Sequence, residues 1–315
     1  MSQNDFTIAN QGFPAFRADL NSALQALASN NSGTSAPSTT FANMWWYDSS
    51  NNIMYIRNED NDAWIQFAVL DQTTDTFKFN GLEVDNAGNS IVSGGNYNTV
   101  IGDEAGTGIT TGDENSFFGN NAGYSLNTGT LNVAMGRNAL YSDTKGNKST
   151  AVGKGSLGSQ NFTSSTDTHN TAVGYEAGKS VSSGIQNTLI GGLAGDALSD
   201  ADSNVVVGYN ALTSDTKGNR SVAIGRSALA VQNFTSSTMV YNTAVGYNAG
   251  GAVTTGKQST FLGGLSGDAV SDGTGNTALG YGALSTEQRG NKSTAVGWQA
   301  LLVANRGSSA DSFNT

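Results

Sequence analysis

A pentapeptide that recurs at fixed intervals is the feature that most constrains how this chain can fold. It reads Asn or Ser, then usually Thr or Val, two apolar residues and Gly. The intervals between successive glycines are 17, 17, 17 and 21 residues, and this block of 72 residues then repeats. A short fixed period is typical of a solenoid, in which each repeat stacks on the next, and not of a globular enzyme. The glycines are Gly102, Gly119, Gly136, Gly153, Gly174, Gly191, Gly208, Gly225, Gly246, Gly263, Gly280 and Gly297.

The composition agrees with a fibrous β protein. The 315 residues include 41 glycines, only two prolines and 13 % charged residues. Disorder is the alternative for such a composition, but the apolar pairs recur at fixed positions. There is no cysteine, so no disulfide holds the fold. A net charge of −10 disfavours binding to nucleic acid or to an anionic membrane. Membrane insertion is not expected either, because no run approaches the roughly 20 apolar residues that a spanning helix needs.

The two residues before each glycine are apolar in all twelve repeats. Adjacent side chains on a strand point to opposite faces, so both faces of these strands must be covered. One face can be buried within a single coiled chain, whereas the other needs a further layer, most simply a copy of the same chain. The sequence therefore predicts a homotrimer around an axis lined by one apolar column. The residues assigned to the shaft core and trimer packing are Val100, Ile101, Phe117, Phe118, Val173, Ile190, Val245, Phe261 and Leu262.

The positions after each glycine predict the corners of the coil. The third is always Ala or Ser, which suits a tightly packed corner. The fourth follows the order Gly, Gly, Leu, Leu, and where it is Gly an apolar residue such as Ile109 or Leu126 comes three residues later. We expect these two placements to fill the same core volume. We expect the glycines themselves to supply positive φ or close backbone approach.

Three segments carry a resemblance to a known family. They are NTAVGYEAG at 170–178, RSVAIGRSAL at 220–229 and NTAVGYNAG at 242–250. These strings resemble the head repeats of trimeric autotransporter adhesins, and the similarity covers about two thirds of the chain. It implies a left-handed parallel β-roll wound as a trimer. Those heads use a shorter coil, so periods of 17 and 21 imply added surface loops.

The first 79 residues lack the repeat. An apolar stripe predicts a helix from Pro14 to Ala28, and its members are Phe13, Phe16, Leu20, Leu24 and Leu27. After a linker at 33–40, strand-like pieces at 44–47, 52–57 and 64–68 predict a small β-meander. Three tryptophans, Trp45, Trp46 and Trp64, lie in this module. Clustered tryptophan can mark carbohydrate binding, although a role in a small core or an interface is more usual.

This N-terminal region, FTIANQGFPAFRADLNSALQALASNNSG followed by the tryptophan module, resembles that of tail-fibre-like proteins of tailed phages, especially those infecting cyanobacteria. The resemblance implies a virion protein assembled in the host cytoplasm and docked on tail proteins such as an adaptor, nozzle or baseplate. It implies attachment to a host cell-surface receptor as the function. The residues it assigns to virion attachment are Phe13, Phe16, Leu20, Leu24, Trp45, Trp46 and Trp64. The alternatives are a capsid fibre, a tailspike-type glycan depolymerase and a bacterial trimeric adhesin, which would need an export signal that MSQNDFTIANQGF does not provide.

Catalysis, cofactors and metal binding are not expected. The only histidine, His169, allows neither a Ser/His/Asp arrangement nor a His-based zinc site within one chain. A carboxylate pair or a calcium site remains as an alternative on the turns, with Asp103, Glu104, Asp113, Glu114, Asp196, Asp200 and Asp202 as candidates. The segments Ser142–Asn147 and Ser214–Asn219 are interpreted as one repeated surface loop. Phe162 and Phe234, in the repeated insertion NFTSST, either contact a partner or a receptor, or fold back to cover a coil edge or the neighbouring chain.

The predicted architecture is mostly β, with a trimeric parallel β-solenoid of about 12 coils behind a short helix and a small meander. Residues 1–40 form the helical virion-attachment arm, 41–79 the β module and 80–315 the shaft. A further pentapeptide would begin at Asn314, where the chain reads Asn314-Thr315 and ends. We therefore expect the natural protein to be longer, with any receptor-binding tip beyond Thr315.

Overall fold

The computed structural model describes residues 13–28, 31–71, 76–79, 82–84, 97–303 and 311. The chain separates into two compact units, Met1–Ile91 and Val92–Thr315. The first unit holds the described helix and an antiparallel sheet. The second is built from stacked parallel coils.

The first unit begins with helix α1, Phe13–Ala28, which agrees with the predicted helix. Pro14 lies in its first turn, where a missing backbone N–H costs nothing. The sheet pairs each strand antiparallel with the next, so the predicted meander is confirmed. It continues beyond the three predicted pieces to Val84. The strands are β1 Trp45–Asp48, β2 Ile53–Arg57, β3 Trp64–Asp71, β4 Thr76–Phe79 and β5 Leu82–Val84.

The second unit is a parallel β-solenoid, as the repeat predicts. Its main sheet has 12 strands in sequence order, each from one pentapeptide, and every coil pairs with the next in register. The strands of coils 1 to 12 are Thr99–Ile101, Ser116–Phe118, Val133–Met135, Thr150–Val152, Thr171–Val173, Thr188–Ile190, Val205–Val207, Val222–Ile224, Thr243–Val245, Thr260–Leu262, Thr277–Leu279 and Thr294–Val296. Two short parallel pairs lie beside it, Gly146–Asn147 with Thr166–Asp167 and Gly218–Asn219 with Thr238–Met239.

The core lies inside the coils. The residue two before each glycine is buried in all twelve coils, from Val100 to Ala295. The two alternative fillers are also confirmed, since Ile109 and Leu126 are as fully buried as Leu140. The two placements exclude each other for a steric reason. A Cβ built on Gly106 would lie 3.0 Å from Ile109 Cδ1, so position 106 cannot carry a leucine while Ile109 fills the core.

The glycines that close the pentapeptides are needed both for a positive φ and for close approach of the backbones, as expected. Gly102 has a φ of 140°, which L side chains rarely adopt. A Cβ on it would lie 2.5 Å from the carbonyl oxygen of Gly119 in the next coil. The same close stacking recurs up the column as far as Gly280, where a Cβ would meet Gly297.

Ser142–Asn147 and Ser214–Asn219 were predicted to be a surface loop, and this prediction is wrong for the aspartate within each segment. Asp143 and Asp215 are fully buried. Asp143 Oδ1 accepts hydrogen bonds from the backbone nitrogens of Gly146 (3.0 Å) and Phe162 (3.2 Å). The loop is therefore tied to the next coil instead of projecting into solvent. Phe162 and Phe234 fold back and are buried, so the interpretation that they cover a coil edge is the correct one.

Candidate functional site

The outer face of the 12-stranded sheet carries an apolar column made by the residue just before each glycine. The inner residue of each strand is buried, and the outer one is exposed or half-buried. Seven of the outer side chains expose between 36 and 62 % of their surface. Scattered exposed apolar residues are normal, but a continuous row is typical of an interaction surface. The seven are Ile101, Met135, Val173, Ile190, Leu262, Leu279 and Val296.

This outer column separates the predicted shaft residues into two groups. Val100, Phe117 and Phe261 lie inside the coil and form core. The other group lies on the outer face, where it is exposed or half-buried in the single chain, and consists of Ile101, Phe118, Val173, Ile190, Val245 and Leu262.

In five coils the residue directly after the glycine is aromatic. These aromatic residues were not among those predicted to form a site. Tyr175, Tyr209, Tyr247 and Tyr281 are each about half exposed, and Trp298 is more exposed. Cations from the preceding coil lie over two of these rings, with Lys154 Nζ 4.9 Å from the Tyr175 centroid and Arg226 Cζ 5.8 Å from that of Tyr247. The recurrence of Tyr at one repeat position was the available signal.

The tryptophans of the first unit differ in their surroundings. Trp46 is 7 % exposed, stacks on Tyr55 with ring centroids 5.1 Å apart, and lies 5.5 Å from Trp64. Trp45 is 38 % exposed and meets Phe67 edge to face at 4.9 Å. The cluster therefore combines a buried anchor with an accessible indole.

The apolar stripe of helix α1 is accessible where its side chains are described. Leu20, Leu24 and Leu27 are exposed. The side chains of Phe13 and Phe16, assigned to the same stripe, lie outside the described residues.

A groove of about 360 Å³ crosses coils 3 to 5. It is lined by Tyr141, Lys154, Glu176 and Lys179 together with Asn138 and two glycines. Glu176 accepts from Lys179 Nζ at 3.0 Å and from Lys154 Nζ at 3.4 Å. The hydrogen bond from Lys179 holds the pKa of Glu176 below its usual range, so the carboxylate is ionised at neutral pH.

Two of the acidic candidates have neutral hydrogen-bond partners. Asp196 accepts a hydrogen bond from Thr213 Oγ1 at 2.5 Å, and Asp202 Oδ1 accepts one from the backbone nitrogen of Ile185 at 2.8 Å. His169 is exposed with a φ of 50°. Among the described residues, no group of three or more His, Cys, Asp or Glu side chains is placed to hold a metal ion. Within the same residues, no helix has both the length and the apolar character needed to cross a membrane.

The fold defines a parallel β-solenoid with an exposed apolar column and a small aromatic-rich sheet module. No protein-family model, no curated protein and no solved structure matches this chain.

Proposed function

We propose that this chain is a structural virion protein, a tail fibre of a tailed phage. Its N-terminal region attaches it to the tail, and its solenoid forms a rigid homotrimeric shaft that serves attachment to the host cell. The exposed apolar column along the outer face of the sheet is the observation that carries this proposal. Neither catalysis nor a cofactor is part of it.

The column supports trimerisation on energetic grounds. Full burial of a Val, Ile or Leu side chain contributes about 1.5–3 kcal/mol, so covering a side chain that is nearly half exposed contributes roughly 1 kcal/mol. Repeated over many coils in each of three chains, such gains suffice for a stable assembly even after the cost of association. An identical chain matches the column in length and in spacing because it carries the same repeat.

The first unit supports the attachment role. Exposed Leu20 and Leu24 on helix α1 and exposed Trp45 on the sheet offer apolar contacts to a partner, and Trp residues are enriched among the side chains that dominate interface energies.

The oligomeric state is tested by light scattering and analytical ultracentrifugation of the full chain. We expect three times the monomer mass of 32.4 kDa. The paired substitution Ile190→Thr with Leu262→Thr, on the outer column, should shift the mass towards the monomer at low concentration. Val231→Thr is the matched control, since Val231 is similarly exposed but lies outside the pentapeptide strands. A monomeric wild-type protein would refute the trimeric shaft.

The location is tested by immunogold electron microscopy with antibodies against the solenoid, on phage particles produced from a genome that encodes the chain. Label on the tail is expected. Label on the head would replace the tail fibre by a capsid fibre, and unlabelled particles would refute a virion role.

A further inference from the structure

We propose that the groove across coils 3 to 5 is a saccharide-binding site that holds one ring of a glycan between Tyr141 and Lys179. This inference depends neither on the trimer nor on attachment to a virion, because every residue involved belongs to one chain and one unit.

The groove lies where coil 4 has glycine at a position that carries a long side chain in the neighbouring coils. The fifth residue after the glycine is Tyr124 in coil 2, Tyr141 in coil 3, Gly158 in coil 4 and Lys179 in coil 5. Coil 4 also has glycine, Gly155, at the second position. With coils about 4.8 Å apart, a gap of roughly 9.6 Å separates the backbones that carry Tyr141 and Lys179. The backbone of coil 4 forms its floor.

The gap presents an aromatic face. Tyr124 and Tyr141 stack with centroids 5.1 Å apart and ring planes at 7°. Their separation follows the coil spacing, so the rings are stacked along the solenoid. The face of Tyr141 turned away from Tyr124 therefore borders the space above Gly158, where another side chain of this column would lie. In the proposed site one ring of the glycan lies between that face and Lys179 on coil 5.

The remaining walls are polar. Asn138 and Ser142 lie on coil 3 with Tyr141, Lys154 and Ser159 lie on coil 4, and Glu176 and Lys179 lie on coil 5. The Glu176 side chain is only 16 % exposed and is held by both ammonium groups. One apolar ring face surrounded by amide, hydroxyl, carboxylate and ammonium groups matches a pyranose, which has apolar C–H faces and a polar rim of hydroxyls. A purely aromatic ligand would make no hydrogen bond with the amide and hydroxyl groups of these walls.

The 72-residue repeat shows that the fold does not require these residues. At the equivalent positions of the next block the chain has Thr213 for Tyr141, Ala230 for Gly158 and Asn248 for Glu176. Coils 7 to 9 nevertheless form the same strands with the same register. Residues that depart from a repeat without a structural need are candidates for binding.

The test uses the full chain and saturation-transfer-difference NMR with four disaccharides, namely cellobiose, maltose, lactose and N,N′-diacetylchitobiose, and a separate titration with inorganic phosphate. We expect at least one disaccharide to bind with a Kd of about a millimolar. Transfer should be strongest to the ring protons of the unit that stacks on Tyr141. If none of the disaccharides binds, the proposal is overturned. If only phosphate binds, the groove is an anion site and the proposal is equally overturned.

The variants introduce residues that the next 72-residue block carries at the equivalent positions, because the solenoid fold already accommodates them there. Tyr141→Thr and Glu176→Asn should each weaken binding at least fivefold, and Gly158→Ala should weaken it by narrowing the gap. The reverse change Thr213→Tyr, in the second block, is the matched control and should leave binding unchanged. Circular dichroism must show an unaltered fold in all four proteins. Equal affinity of Tyr141→Thr and wild type would place the saccharide elsewhere and refute the site.

Discussion

The side-chain oxygen of Asn98 accepts two hydrogen bonds from Asn115, one from its backbone nitrogen at 2.9 Å and one from its side-chain nitrogen at 3.0 Å. Asn115 Nδ2 also donates to the carbonyl oxygen of Gly129 at 3.0 Å. Asn132 repeats this arrangement on Asn115. The first residue of the pentapeptide thus forms a buried ladder that joins each coil to the next, in parallel with the backbone pairing of the strands.

Where serine stands at Ser149 and Ser221, a glutamine side chain replaces the missing amide of the ladder. Where Ser149 takes the asparagine position, the Gln160 side chain occupies the gap, donating to Ser149 Oγ at 2.8 Å and accepting from Asn170 Nδ2 at 2.9 Å. Gln232 has the same role beside Ser221. At these two positions the replacement of Asn by Ser is therefore a change of partner within the ladder.

Removing one member of the ladder should destabilise the solenoid. In Asn187→Ala the backbone nitrogen of Asn204 loses its hydrogen-bond acceptor (3.0 Å) and the carbonyl oxygen of Ala201 loses its donor (2.8 Å). Both groups are buried, so we expect a loss of about 3 kcal/mol in the free energy of unfolding. Asn187→Ser should lose about half as much, since Ser259 in the same column accepts from the nitrogen of Asn276. Urea unfolding at one protein concentration measures both, and equal losses would refute the ladder's contribution.

Two adjacent glycines should respond differently to alanine. Gly191 has a φ of 130°, and a Cβ on it would lie 2.7 Å from Gly208 C, so Gly191→Ala should cost at least about 3 kcal/mol. On Gly192 the nearest atom to a Cβ is Tyr209 Cδ2 at 3.5 Å, an ordinary contact. Gly192→Ala should therefore change stability by less than about 0.5 kcal/mol. Comparison of the two thermal unfolding midpoints tests the pair, and similar midpoints would contradict the stacking argument.

Burial of Asp215 should make stability depend on pH. Desolvation raises the pKa of Asp215 above 3.8, although hydrogen bonds from Gln232 and from the nitrogens of Phe234 and Gly218 oppose the rise. Between pH 3.8 and the folded-state pKa, the folded chain binds more protons at this group than the unfolded chain. This contribution to stability is present at low pH and is lost as pH rises through the folded-state pKa.

Asp215→Asn removes the titrating carboxyl group at this position, whereas all other carboxyl groups are the same in the variant and the wild type. The unfolding free energy of the wild type relative to this variant should fall as pH rises from about 4 and should level off at higher pH. Urea titrations at a series of pH values measure this difference. A difference that stays constant or rises with pH would contradict the assignment.

Substitution of the two adjacent tryptophans of the N-terminal sheet should reduce its stability to different extents, because one ring is buried and the other is partly exposed. Trp46→Ala removes a buried ring stacked on Tyr55 and should cost about 3–5 kcal/mol, enough to unfold a sheet of this size. Trp45→Ala removes a partly exposed ring and should cost about 1 kcal/mol. Hydrogen exchange of the backbone amides in residues 45–71 distinguishes the outcomes. Retained protection in Trp46→Ala would show that the cluster does not hold the sheet together.

Much of the fold is predictable from the sequence because the repeat is strict. The twelve strands, the buried residues at the corners and the helix Phe13–Ala28 follow from spacing and side-chain type alone. The surface-loop interpretation was wrong because Asp143 and Asp215 read as solvated turn residues, whereas each is buried through partners 17 to 19 residues away. The groove lined by Tyr141 and Lys179 was missed because its residues are spread over three coils and lie up to 41 positions apart in the sequence.

The sequence by itself determined the period, the stacking of the coils and the need to cover two apolar faces, because these depend only on strand alternation and on the intervals between glycines. Only the tertiary structure decided that the column containing Val100 and Phe117 faces the interior and the column containing Ile101 and Phe118 faces out. Both columns are apolar, so alternation cannot distinguish them. The choice is made by packing: a Cβ on Gly123 would lie 2.4 Å from the Phe117 ring, which shows that the interior has room for that ring only where the corner has no side chain.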